Sequence, residues 1–85
     1  MRAVYVDFRM FQNPREVHAF LKGQMNFPDF YGMNLDALFD CLTERSEETY
    51  ILYRTSGQPF ERGFLQVFAD AAAMNPRIIS EEFIR

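Results

Sequence analysis

Phe27-Pro28-Asp29-Phe30-Tyr31-Gly32-Met33-Asn34-Leu35-Asp36-Ala37-Leu38-Phe39-Asp40-Cys41-Leu42-Thr43 reads as an aromatic loop that turns at Gly32 and enters a short helix at Asn34. Asn is a favoured N-cap, because its side-chain oxygen accepts from a first-turn amide that has no partner within the helix. Asp36 then falls in the first turn, where the helix dipole favours negative charge. On a helical wheel of roughly 100° per residue, Phe39, Asp40 and Thr43 fall within about 60° of Asp36. Leu35, Leu38, Cys41 and Leu42 cluster on the far side. One face can therefore dock on a core. The other shows two carboxylates flanking an aromatic ring, with a hydroxyl one turn later.

A solvated surface is the ordinary explanation of an Asp pair on a helix. Two costs weigh against it here. Asp and Phe are poor helix formers beside Glu, Lys or Leu, so propensity did not select them for an exposed surface. Like charges at i and i+4 also repel by a few tenths of a kcal/mol. A face that carries both costs is expected to meet something positively charged.

The 85 residues are expected to form one domain over 1–85 with a modest core. The chain is 48% hydrophobic and holds ten Phe and four Tyr, which favours a folded globule over a disordered segment. Twelve acidic residues against nine basic ones give a net charge of −3, which disfavours direct nucleic-acid binding. A single Cys excludes an internal disulfide and a Cys-rich metal site, so a reducing interior suits the chain. The apolar run Ala3-Val4-Tyr5-Val6 is too short for a signal peptide or a membrane span. A cytoplasmic protein with no membrane partner is expected, a monomer when free.

Outside the opening stretch, Ala3–Phe8 reads as a first strand. Asn13-Pro14-Arg15-Glu16 is a helix start, with the helix running to about Met25 and burying Val17, Phe20, Leu21 and Met25. His18 lies on that helix as a structural or surface histidine, since no second ligand sits at metal spacing beside it. Glu44-Arg45-Ser46-Glu47-Glu48 is a charged turn. Thr49–Arg54 is a second strand whose unbroken apolar run is expected when both faces are covered. A helix from about Phe60 to Met74 turns Phe60, Phe64, Val67, Phe68 and Ala71 inward, with Gln66 and Asp70 on another face. Asn75-Pro76 ends it, and 77–85 should hold a third strand, placed at an edge because Glu81 and Glu82 suit a central strand poorly. The order strand–helix–helix–strand–helix–strand predicts a small α/β domain with a parallel three-stranded sheet.

The run Tyr31-Gly32-x-Asn34-Leu35-Asp36-Ala37-Leu38-aromatic-Asp40-Cys41-Leu42-Thr43 resembles the signature of the barstar family, intracellular inhibitors of the secreted ribonuclease barnase. The likeness extends through Leu65-Gln66-Val67-Phe68 and the order of elements, so it covers nearly the whole chain. It implies a barstar-like fold and inhibition of a basic, secreted, guanyl-specific microbial ribonuclease. By resemblance, Asp40 matches the central carboxylate that occupies the enzyme's phosphate site. Asp36 matches the one that approaches its guanine-recognition region. Phe30 stands for a Tyr that packs on the catalytic His, and Phe39 for a Trp. Asp70 matches a Glu that meets a peripheral basic residue, and Thr43 a Thr at the interface edge. Two positions depart further. Arg45 stands where the family prototype has an interface Trp, a repulsive element toward a cationic enzyme, and Met74 replaces an outlying acidic residue.

Other functions fare less well. Asp36 and Asp40 share one surface, whereas catalytic carboxylate pairs flank a bond from two sides. Cys41, on the core side, is expected to be a buried structural thiol. Asp36, Asp40 and Glu44 offer too few converging oxygens for a hard cation. No enzyme activity, cofactor or metal is expected. The remaining alternative is a barstar-like module whose partner is not a ribonuclease.

Overall fold

The computed structural model describes residues 1–84. Arg2–Asp7 forms β1, rich in the β-branched and aromatic residues that suit a pleated surface. It stops before Phe8, where Asp7 turns the chain: its carboxylate accepts from the Arg9 amide and opens a 3-10 turn over Phe8–Met10. Phe8 thereby drops fully into the core. α1 spans Pro14–Met25, as the Asn-Pro signal predicts. Asn13 accepts from the Glu16 amide at 3.0 Å, and Glu16 reaches back to the Gln12 amide at 2.7 Å, one residue beyond the usual target of such a pair. α1 buries Val17, Leu21 and Met25, while Phe20 is half-buried against Phe11.

α2 (Leu35–Thr43), β2 (Thr49–Arg54), α3 (Glu61–Met74) and β3 (Ile78–Glu82) follow. The three strands run parallel in the order β1-β2-β3, so β2 is central and the strand bearing Glu81 and Glu82 lies at an edge. This is the α/β architecture that the element order implies.

One expectation about β2 is overturned. Its unbroken apolar run suggested cover on both faces, yet the helices cover only one. Val4, Val6, Ile51 and Ile78 join the buried side chains of all three helices in a single cluster. The opposite face carries the row Tyr5–Leu52–Glu81, with Tyr5 44% exposed, and the row Ala3–Tyr50–Ile79. Two of these side chains end in hydroxyls, and Tyr50 Oη donates to Glu81 at 3.0 Å. Phe83 folds back onto Tyr5, ring centroids 6.1 Å apart, with the Arg54 guanidinium 5.6 Å above it. Amphipathic tips and one folded-back aromatic give this face partial cover without a helix.

Both ends of α3 are held by buried polar groups that periodicity does not reveal. At its start the cap residue Phe60 has no side-chain acceptor. The buried Glu61 takes over, accepting from the amides of Ser56 (2.9 Å), Gly57 (3.3 Å) and Gln58 (3.1 Å) and from the Ser56 hydroxyl. Burial alone would raise its pKa; these donors outweigh it and hold the carboxyl below the ordinary value. At the other end, Asn75 is buried and its amide nitrogen donates to the carbonyls of Leu42 (2.9 Å), Arg45 (2.9 Å) and, more weakly, Thr43 (3.3 Å). Those carbonyls end α2, so Asn75 ties the two helices together. Near its first turn, α3 carries Gly63, where an added Cβ would lie 2.6 Å from Leu35 Cδ1 and would displace the tip of that side chain.

Replacing Asn75 by Ala leaves the Arg45 and Thr43 carbonyls without this donor, while that of Leu42 keeps the Arg45 amide. We expect a loss of about 1–3 kcal/mol in unfolding free energy, read as a lower urea midpoint at unchanged m-value.

Candidate functional site

The loop ahead of α2 is nailed down on both sides of its most exposed residue. Phe27 and Tyr31 both point inward, ring centroids 4.8 Å apart. The Phe27 amide donates to the Lys22 carbonyl (3.0 Å), and the Tyr31 amide to the Pro28 carbonyl (2.9 Å). Phe30, between these anchors, has nowhere to go but outward and is 87% exposed. A solvated phenyl ring held by a braced loop is a costly arrangement unless something covers it. The left-handed residue in this loop is Met33 (φ 57°). Gly32 packs closely on the start of α2: an added Cβ would sit 3.1 Å from Asn34 Nδ2 and 3.4 Å from Ala37 Cβ.

Beneath the loop, Tyr31 Oη and His18 Nδ1 share a 2.6 Å hydrogen bond. His18 is 3% exposed and stacks obliquely on Phe64, centroids 4.8 Å apart. It is structural. Burial lowers its pKa below the ordinary value and pushes that of Tyr31 up.

α2 begins where the sequence places it: Asn34 Oδ1 accepts from the Ala37 amide at 2.8 Å. Leu38 and Leu42 are fully buried, whereas Asp36 and Asp40 are exposed on the opposite face. Among the described residues neither carboxylate forms an ion pair. Phe39 is half-buried against the core rather than standing in water, so its ring stiffens the face as well as lining it. The Thr43 hydroxyl lies 2.9 Å from the Phe39 carbonyl and 3.2 Å from that of Asp40, so its proton is spent on the helix and its oxygen remains as an acceptor. Asp70 stands apart on α3, exposed and accepting from Gln66 at 2.9 Å. Met74 ends the same helix, 70% exposed.

A groove of about 650 Å³ runs between the loop and the end of α2. Pro28, Phe30, Asp40, Cys41 and Glu44 are among its lining residues, as are Arg2, Arg45 and Glu47. The groove thus joins Phe30 to Asp40, and it adds Glu44, which sequence reading weighed only as a metal ligand. Cys41 is half-buried, packed against the core yet bordering this groove, and not the fully buried thiol expected, because the end of α2 lies beside open space here. Burial, then the Glu44 and Asp40 carboxylates, push its pKa up, so the thiol is a poor nucleophile. Among the described residues no three His, Cys, Asp or Glu side chains converge as metal ligands. Among the described residues no helix is long and apolar enough to cross a membrane.

Arg45 corrects a further expectation. It does not project as a free cation: its side chain is 11% exposed. Nε donates to Thr49 Oγ1 (2.7 Å), Nη1 to the Met25 carbonyl (2.9 Å) and Nη2 to Glu47 (2.9 Å). The signal missed was Glu47 two residues on, with Thr49 two beyond.

Fold and face together define a small α/β protein that holds an anionic helix and a bare phenyl ring toward solvent. The profile of the barstar (barnase inhibitor) family matches residues 1–75, and the chain belongs to that family. A Bacillus subtilis (strain 168) protein named "Putative ribonuclease inhibitor YrdF" is 54% identical over 43 residues. That segment is 51% of this chain and 47% of the relative, so the match spans about half the length of each.

The buried His18 predicts a pH response of stability. The unfolded chain protonates this imidazole near its ordinary value of 6.5, the folded chain only at lower pH. Stability is therefore full above that value and falls as the pH drops from there toward the folded pKa. The lowered carboxylates Asp7, Glu47 and Glu61 act only at more acid pH, since their ordinary values are 3.8, 4.5 and 4.5. Urea midpoints should decline between about pH 6.5 and 5 in the wild type and stay level in His18→Gln.

Proposed function

We propose that this chain inhibits a guanyl-specific, barnase-like ribonuclease by seating α2 and Phe30 in the enzyme's RNA cleft. The observation that carries the reading is the pair Asp36 and Asp40, exposed on one face of a packed helix and without an ion partner among the described residues. A ribonuclease must gather positive charge around a phosphodiester. A carboxylate on a rigid helix imitates that phosphate, and charge-assisted hydrogen bonds from Arg are short and geometrically selective. In this reading Asp40 takes the phosphate site and Asp36 the guanine-recognition region. Phe30 covers the catalytic His without offering a hydroxyl, and Phe39 and Thr43 complete the contact. Asp70, on the neighbouring helix, meets a peripheral basic residue.

The position of the charges supports the reading. α2 has no basic residue in its last turn, yet Asp40 lies in its C-terminal half and Glu44 caps it. Negative charge there opposes the helix dipole. These carboxylates cost local stability, which a binding role accounts for and a solvated surface does not. A barstar-like module with a non-ribonuclease partner is the second reading, suggested by Arg45 and Met74. The inward seat of the Arg45 guanidinium weakens the first of these two grounds, whereas Met74 is exposed.

The test is RNA cleavage by a guanyl-specific ribonuclease with and without the purified chain. Inhibition should weaken steeply as ionic strength rises and the Debye length falls from about 30 Å at 0.01 M toward about 3 Å at 1 M. Asp40→Ala should lose on the order of 3–5 kcal/mol of binding, two to four powers of ten in Kd. Its thermal midpoint should not drop, because Ala is the better helix former and the dipole penalty goes. Inhibition that survives Asp40→Ala intact would rule out the phosphate mimic.

A further inference from the structure

We propose that Arg45 is a positioning residue of the anionic face: its guanidinium meets no partner but sets the separation across the groove between Asp40 and Phe30. The inference rests on reading that face as the binding site.

Arg45 directly follows Glu44, the C-cap of α2. Its amide donates to the Leu42 carbonyl at 3.3 Å and its own carbonyl accepts from Asn75 at 2.9 Å, so its backbone closes the end of α2 against the end of α3. Its side chain runs the other way, to Met25, the last residue of α1, and to Thr49, the first of β2. One residue thus touches the ends of three helices and the start of the central strand. Beyond Met25 the chain turns at once: Asn26 is left-handed (φ 55°) and Phe27 opens the loop that carries Phe30. Fixing the Met25 carbonyl therefore fixes the root of one side of the groove, while the backbone of Arg45 fixes the other.

A second guanidinium repeats the contact. Arg2 Nη1 donates to the Gln24 carbonyl at 3.1 Å, and its Nε meets Glu47 at the same distance. Two cations thus sit on the final carbonyls of α1, the negative end of its dipole, with Glu47 between them to relieve their repulsion. The three acceptors around Arg45 lie in different directions. A planar fork of donors can satisfy them, and the single ammonium of Lys cannot. With both arginines engaged by Glu47, the carboxylates left without an ion partner in the groove are Asp40 and Glu44, among the described residues.

The two possible roles of Arg45 give effects of opposite sign. A cation facing a basic enzyme weakens binding, so removing it tightens the complex. A positioning cation strengthens binding, so removing it loosens the complex. The experiment compares the wild-type chain with Arg45→Gln and Arg45→Lys in two measurements. In the free chain, backbone amide exchange over residues 26–32 should quicken about tenfold or more in Arg45→Gln, and less in Arg45→Lys. Exchange at Ile51 and Phe68 should not change. Against a guanyl-specific ribonuclease, Arg45→Gln should weaken inhibition on the order of tenfold with the salt slope unchanged, and Arg45→Lys should recover part of it. Tighter inhibition, a changed salt slope or unaltered exchange over 26–32 overturns the proposal. Should Arg45→Gln fail to fold, Glu47→Gln takes its place, with the same directions and smaller size expected and no change in either measurement decisive against it. If the wild-type chain inhibits no such ribonuclease, the reading of the face fails, whereas the exchange measurement still decides whether Arg45 holds the loop.

Discussion

A helix of nine residues does not hold itself together in water, because nucleation costs more than two turns of hydrogen bonds return. α2 is that short, and everything attributed to this chain depends on its being rigid. The rigidity is tertiary. Leu38 and Leu42 anchor its inner side in the core, Asn34 closes its first turn, and Asn75 reaches across from α3 to close its last. The outer side is then free to carry residues that would not stabilise a helix on their own.

The helix and the loop before it carry three local costs: repelling carboxylates at i and i+4, acidic groups toward the negative end of the dipole, and the bare Phe30 ring on the loop. In an 85-residue fold with one covered sheet face, such costs are a sizeable part of a small net stability. They fit the role proposed for this surface, that of meeting a cationic partner. The buried polar groups around it belong to the same arrangement. His18 with Tyr31 braces the loop from below, and Arg45 with Glu47 and Arg2 braces the groove from its end.

Much of this was legible in the residues. The caps Asn13 and Asn34 placed two helices to the residue, since an N-cap is a local hydrogen bond between side chain and backbone three positions apart. Asn75-Pro76 ended α3 for an equally local reason. The division of α2 into a buried and an exposed face followed from helical periodicity alone. The unbroken apolar run of β2 misled, because tyrosine and leucine on a half-covered face look the same in sequence as on a buried one. Phe39 misled similarly, its wheel position lying near the boundary between core and solvent.

By itself, then, the sequence determined the order of elements, the parallel sheet, the acidic face of α2 and the likeness to the barstar family. Only the tertiary structure decided that the helices cover one side of the sheet, that Phe30 and Asp40 line one groove, and that Arg45 turns inward. The physical reason is range. Caps, turns and periodicity act within a few residues, whereas Arg45 finds Met25 twenty positions away and Asn75 finds Arg45 at thirty. Which way a long side chain points is settled by acceptors that only the folded chain brings within reach.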